Sequence, residues 1–210
     1  MNIELQRTPW FTTEVFSFFV DEHYCDAVND IVAKDSDDWQ SGLKNVKAKT
    51  SNWDGLRYPV IKELANFASE KVLPSIGETK NFKHNNWITR EAWINFYEKD
   101  NQAIPHHHFF SDFCGILITK TKESNLKFIS PLMVHGYFKE FMNADSIQRI
   151  NEKKGLFIFF PSYLFHQVEE CKEERISVAF NFEAQDDKTK KQQDDFFAEN
   201  RHLMKGDKND

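Results

Sequence analysis

Apolar residues recur with two different periods along this chain, and the change of period divides it into a helical part and a strand part. Residues 10–20 (WFTTEVFSFFV) are aromatic and β-branched, which predicts a strand. Asp21 follows in a capping position, ahead of a helix whose apolar face is Tyr24, Val28, Ile31 and Val32. Residues 35–55 are polar and irregular, with turn signals at Gly42 and Asp54-Gly55. A second helix is predicted to open at Pro59, where proline suits the first turn, and to close before Pro74. Its buried stripe would be Val60, Ile61, Leu64, Phe67, Ala68 and Val72.

From Asn86 the period becomes two. Over Trp87–Tyr97 the alternation places Trp93, Asn95 and Tyr97 on one face and Ile94 and Phe96 on the other. Short apolar runs at 113–119, 126–129, 156–160, 165–168 and 176–182 continue the strand texture. Residues 134–152 read as a loop with a short helix around 144–150. Many short strands after a helical start predict a mainly β fold, a β-sandwich or jelly roll backed by two helices. One domain is expected over 1–182, with helical support at 20–80 and a β core at 86–182. Residues 183–210 form a charged tail, in which Phe196, Phe197, Leu203 and Met204 could make an amphipathic turn.

Composition narrows the function. The net charge of −6 argues against a broad nucleic-acid or anionic-membrane surface, and 40% hydrophobic residues suit a packed globular protein. No stretch reaches the 18 apolar residues of a membrane span, and the N-terminus lacks the apolar core of a signal peptide. Cys25, Cys114 and Cys171 are odd in number and form no C-x-x-C pair, so reduced, buried thiols in a cytoplasmic protein are expected.

Four residues carry chemistry. His106 and His108 in PHHHFFSDFCG share a face at strand spacing, while His107 points away. His166 follows in FIFFPSYLFHQ, and Arg175 nine residues later in EERISVAFNF. Imidazole is the commonest metal ligand near neutral pH, and a site with open positions is what redox chemistry on Fe(II) needs. Arginine offers a charged, planar fork for a carboxylate. His23, His84, His135 and His202 have no partner spacing and read as surface or packing residues.

With these residues in place, the chain resembles the 2-oxoglutarate/Fe(II)-dependent oxygenases, and most of all their small members from marine bacteria and phages. The resemblance rests on Trp93-Ile94-Asn95, Pro105-His106-His107-His108, Gly115, Phe128-Ile129-Ser130-Pro131, Phe160-Pro161-Ser162-Tyr163 with His166, and Arg175-Ile176-Ser177 through Asn181, over residues 86–182. It implies a double-stranded β-helix with the site in its mouth, using Fe(II), 2-oxoglutarate and O2 to hydroxylate a substrate and release succinate and CO2. By the same resemblance His106 and His166 are metal ligands, and Arg175 holds the distal carboxylate of 2-oxoglutarate. Ser177 and Tyr97 would contact the same co-substrate, with Asn95 beside them on the strand face.

Two departures stand out. Position 108 is histidine where most of the superfamily has Asp or Glu, leaving His108, Asp112 or a water as third ligand, with His108 favoured. Leu117 and Ile118 stand where the motif carries tyrosines. All-imidazole ligation should lapse as pH falls through about 6.5, since each ligand must shed its proton first.

Two other readings remain: a non-catalytic cupin-like metal-binding module, and a three-histidine cupin-type dioxygenase that does without 2-oxoglutarate. The substrate is open, a protein residue or metabolite being favoured over nucleic acid. A homodimer remains an option. The cytoplasm is the expected location (a host's, should the source be viral).

Overall fold

A computed structural model of the chain describes residues 13–41, 45–80, 86–131 and 147–185. The helical part begins with strand β1 (Phe16–Phe19) and helix α1 (Glu22–Asp35), followed by the short strands β2 (Gln40–Ser41), β3 (Val46–Lys47) and β4 (Lys49–Thr50). Helix α2 (Pro59–Phe67) runs through a π-helical turn at 68–72 into α3 (Leu73–Lys80). The β core comprises β5 (Trp87–Tyr97), β6 (Gln102–His106), β7 (Phe113–Lys120), β8 (Leu126–Ile129), β9 (Ile147–Arg149), β10 (Leu156–Pro161), β11 (His166–Val168) and β12 (Arg175–Ala184).

These strands form two antiparallel sheets. The larger runs β1-β10-β7-β12-β5-β4-β2 and the smaller β3-β6-β11-β8-β9. Period two gives the large sheet two different faces. Ile94, Leu117, Phe157, Phe159, Val178, Phe180 and Phe182 pack with Val28, Val32, Ile61, Leu64 and Leu73 of the helices. The opposite face, with Tyr97, Ile116, Ile118, Ile158 and Phe160, meets Ala103, Leu126, Phe128 and Val168 of the small sheet. Helices on one side and a second sheet on the other make the expected helix-backed jelly roll.

Three local expectations are corrected. Asp21 occupies the N-cap of α1 with extended backbone, yet its side chain makes no capping hydrogen bond. The second helix does not stop before Pro74. Proline cannot donate to the carbonyl four residues back and crowds it, and the π-helical turn just before Pro74 widens the ladder enough to carry the helix on to Lys80. Of its forecast stripe, Ile61, Leu64 and Ala68 are buried while Phe67 is half exposed, its ring edge-on to Phe18 at 6.0 Å.

The helix anticipated around 144–150 is also replaced. Residues 147–149 are strand β9, which adds an edge to the small sheet by pairing with β8 through Phe128↔Gln148; 144–146 lie outside the described residues. Strand β12 reaches Ala184, two residues past the expected core boundary. The proposed strand at 10–20 is strand only at 16–19, and residues 10–12 and 186–210 lie outside the described residues.

Candidate active site

Antiparallel pairing of β6 with β11 sets His106 directly opposite His166, with ring centroids 4.4 Å apart. The strand ends at His106. His108 lies just beyond it, where its backbone N–H donates to Ser162 O at 3.0 Å. Its ring still turns back to the same side, 5.4 Å from His106 and 5.3 Å from His166. One nitrogen from each of the three imidazoles lies within 4.8 Å of the others, a group able to hold a metal ion.

The far nitrogens fix which atoms face inward. Nδ1 of His106 is 2.8 Å from Ile104 O, Nδ1 of His166 is 3.1 Å from Leu164 O, and Nδ1 of His108 is 2.7 Å from Asn181 Oδ1. Each partner is an acceptor, so each Nδ1 carries the proton and each Nε2 keeps a lone pair. Asn181 is itself oriented, because its Nδ2 donates to Glu91 Oε2 at 3.1 Å and a carboxylate can only accept. Burial, with mutual repulsion, lowers the pKa of the imidazoles: His106 below its usual value, His108 to about 4 and His166 well below its usual value. Three neutral donors in one cluster suit a divalent cation.

His107 packs against Phe109 and Phe165, apart from this group. Asp112 is exposed and its carboxylate accepts from the backbone of Ala184, so it is not gathered with the histidines. His23 is an exposed residue beside Tyr24, and His84, His135 and His202 lie outside the described residues.

The trio borders a cavity of about 600 Å³ between the sheets, within the range of small-molecule sites. Strand β12 lines it with Arg175, Ser177, Ala179 and Asn181, and β5 with Glu91, Trp93, Asn95 and Tyr97. Arg175 faces Tyr97 across the ladder and Ser177 faces Asn95, so the four expected co-substrate residues form one block. The guanidinium, 1% exposed, lies over the Tyr97 ring at 5.3 Å and donates from Nη1 to Ser177 Oγ at 2.9 Å. Burial pushes the Tyr97 hydroxyl up to about 12, so it stays protonated.

Arg175 has a partner that the sequence did not advertise. Its Nε donates to Glu152 Oε2 at 2.8 Å. Nη2 lies 2.8 Å from the same oxygen but without the alignment of a hydrogen bond, so its hydrogens have no acceptor there. Burial opposes the arginine's charge; Glu152 and Tyr97 more than offset that, and its pKa ends up raised. Asn95 Oδ1, also buried and lining the cavity, has no partner either. An unmatched donor and an unmatched acceptor inside one cavity are what a polar ligand would satisfy.

The cavity mouth is aromatic. Phe109 is 79% exposed, Phe110 and Trp53 roughly half exposed, and Trp53 stands 4.2 Å from Trp93, which stacks on His108 at 5.8 Å. Trp53 has a φ of 63°, an uncommon conformation for a bulky residue. Its part in the mouth had no signal in the sequence, since it sits in an irregular polar stretch.

Known proteins carry the same architecture. The structure is similar to a prolyl-4-hydroxylase of Pseudomonas putida, with a TM-score of 0.63 at 12% identity over 83% of this chain and 95% of that one. A viral collagen prolyl hydroxylase from Paramecium bursaria Chlorella virus-1, solved with 2-oxoglutarate, gives 0.55 at 14% identity over 82% and 96%. HygX of Streptomyces hygroscopicus, solved with nickel and 2-oxoglutarate, gives 0.59 at 9% over 82% and 84%. No curated protein matches the sequence. Residues 91–181 match the family described as "Putative 2OG-Fe(II) oxygenase". The β core of this chain, with its histidine trio and buried arginine, is thus similar over residues 91–181 to the 2-oxoglutarate/Fe(II)-dependent oxygenases, a family described by its use of Fe(II) and 2-oxoglutarate.

Proposed function

We propose that the chain is a hydroxylase in which His106, His108 and His166 hold Fe(II) through their Nε2 atoms and Arg175 anchors 2-oxoglutarate. The observation that carries this reading is the pairing of a neutral three-imidazole cluster with a buried guanidinium, both bordering one cavity. When bound, iron and co-substrate supply the oxidising chemistry that hydroxylates a C–H bond with release of succinate and CO2.

The chain's own residues do the rest. Arg175 Nη2, lacking an aligned acceptor, has donors to offer the distal carboxylate, and Ser177 holds the neighbouring Nη1. Asn95 and Tyr97 border the same end of the cavity, where Tyr97 supports the guanidinium face. The unmatched Asn95 Oδ1 would accept from a ligand hydroxyl or from water. Phe160 and Phe128 pack on His166 and keep that side of the metal position dry. Trp53, Phe109 and Phe110 would receive the substrate at the mouth.

Among substrate classes, a residue within a polypeptide is supported by neighbours named as prolyl hydroxylases, though a small metabolite fits the cavity as well. Three free, buried cysteines support a reducing compartment such as the cytoplasm. One observation favours the other enzymatic reading, a three-histidine dioxygenase without 2-oxoglutarate: Arg175 is already paired with Glu152, so its charge is partly spent.

Incubation with Fe(II), O2 and 2-oxoglutarate separates the two. The proposal expects succinate to form as 2-oxoglutarate disappears, and to cease in His166→Ala. Iron-loaded protein that leaves 2-oxoglutarate intact would support the alternative.

A further inference from the structure

The buried carboxylate of Glu152 belongs to neither sheet. It follows β9 and precedes β10, and its side chain has no exposed surface. One oxygen, Oε1, accepts from the backbone amides of Asn125 at 2.7 Å and Leu126 at 2.5 Å. The other, Oε2, accepts from Arg175 Nε at 2.8 Å. The Glu152 backbone is tied as well, its N–H donating to Ser124 Oγ at 3.0 Å. A charge with both oxygens engaged and its own backbone pinned is a fixed post rather than a mobile counterion.

The rest of the guanidinium shows what that post does. Arginine presents five N–H donors in a rigid plane. Glu152 takes Nε, and Ser177 takes one hydrogen of Nη1. Tyr97 underlies the face of the plane. What remains is the outer edge, one hydrogen of Nη1 and one of Nη2, which is the edge geometrically suited to a carboxylate.

We infer that Glu152 is a positioning residue for co-substrate recognition: it holds Arg175 by the Nε side so that the Nη1/Nη2 edge is presented to the distal carboxylate of 2-oxoglutarate. This rests on the reading of Arg175 given above. Two effects of Glu152 oppose each other. Its negative charge weakens the field that draws a dianion, while its hydrogen bond fixes the direction of the donors. Orientation outweighs field here because aligned charge-assisted hydrogen bonds need placement within a fraction of an ångström.

The test uses the full chain, with Fe(II), under anaerobic conditions, and compares two 2-oxo acids. 2-Oxoglutarate carries the distal carboxylate; 2-oxobutanoate offers the metal the same 2-oxo acid end without it. In wild type, 2-oxoglutarate should bind at least about tenfold more tightly than 2-oxobutanoate. In Glu152→Gln, its affinity should fall by about tenfold, while 2-oxobutanoate and Fe(II) affinities stay as in wild type.

Equal affinities of wild type for the two acids would overturn the Arg175 reading and this inference with it. A wild type that prefers 2-oxoglutarate beside a Glu152→Gln variant with unchanged or tighter 2-oxoglutarate binding would overturn the inference alone. A parallel loss for both acids would assign Glu152 a merely structural role, and overturn it equally. Glu152→Asp keeps the charge but withdraws it by one methylene, and should give the same selective loss at smaller size. Failure of both variants to fold would leave Glu152 to stability and count against the inference.

Discussion

At the scale of residues, the site is governed by what stands behind each functional atom. Asn181 is the clearest case, since it accepts from the His108 ring and is itself fixed by Glu91. Asn181→Leu removes that support and leaves a buried Nδ1–H unpaired. Metal affinity should fall about 10- to 100-fold, read by competition with a chelator. Arg175→Leu strands Glu152 as an uncompensated buried charge. We expect a loss of about 3–5 kcal/mol in unfolding free energy, largely recovered in the Arg175→Leu/Glu152→Leu pair. Denaturant titration of the three proteins checks both.

The grouping of the histidines and Arg175 was legible from residue chemistry, and strand placement supports it at 106, 166 and 175, whereas His108 lies just past the end of β6 and reaches the same side without the strand. Glu152 was not. It sits in the polar run INEKKG, which reads as a solvated turn, and only the tertiary fold brings it beneath Arg175. Asn181 was visible as part of a motif, but its role depends on register between β12 and β5, which no local pattern encodes.

Among elements, period two served well and helix punctuation less so. Alternation along β5 foretold which of its side chains share the cavity face, because a strand has only two faces. Pro74 misled, since a π-helical turn absorbs the missing donor; propensity speaks of the ideal helix and not of its variants. Strand β9 was unreadable because its three residues are all exposed and so carry no apolar period.

One contact between elements admits a direct test. A methyl group on Gly55, just ahead of α2, would lie 2.6 Å from the carbonyl oxygen of Ala92 in β5, and backbone cannot yield as a side chain does. Gly55→Ala should cost about 1–3 kcal/mol by thermal or denaturant unfolding. It should also shift the neighbouring Trp53–Trp93 pair, seen as altered tryptophan fluorescence.

For the whole molecule, the fold makes the site a proton excluder. Free imidazole titrates near 6.5, which sets the simple expectation of metal release at that pH. In the folded protein His108 is lowered to about 4, and His106 and His166 are lowered with it. The sign follows directly. Between about 4 and 6.5 the unfolded chain binds a proton at position 108 and the folded chain does not, and the lowered His106 and His166 act in the same direction, so stability rises with pH across that window and is lost as pH falls through it. Metal-free protein should thus melt at progressively lower temperature from pH 6.5 down towards 4. His106→Gln should flatten that dependence, and the wild-type cluster should still bind metal at pH 5.5. Thermal melts across that series check the first two points, and chelator competition at pH 5.5 the third.

The central claim is that three neutral imidazoles and one buried arginine together hold Fe(II) and 2-oxoglutarate in a single cavity. Its most direct test is an anaerobic Fe(II) titration with 2-oxoglutarate present, followed by the metal-to-ligand charge-transfer absorption, in wild type and His166→Ala. Wild type should saturate at one iron per chain with an absorption band that requires 2-oxoglutarate, and the variant should show neither. An equal band in His166→Ala, or wild-type iron binding on which 2-oxoglutarate leaves no band, would contradict it.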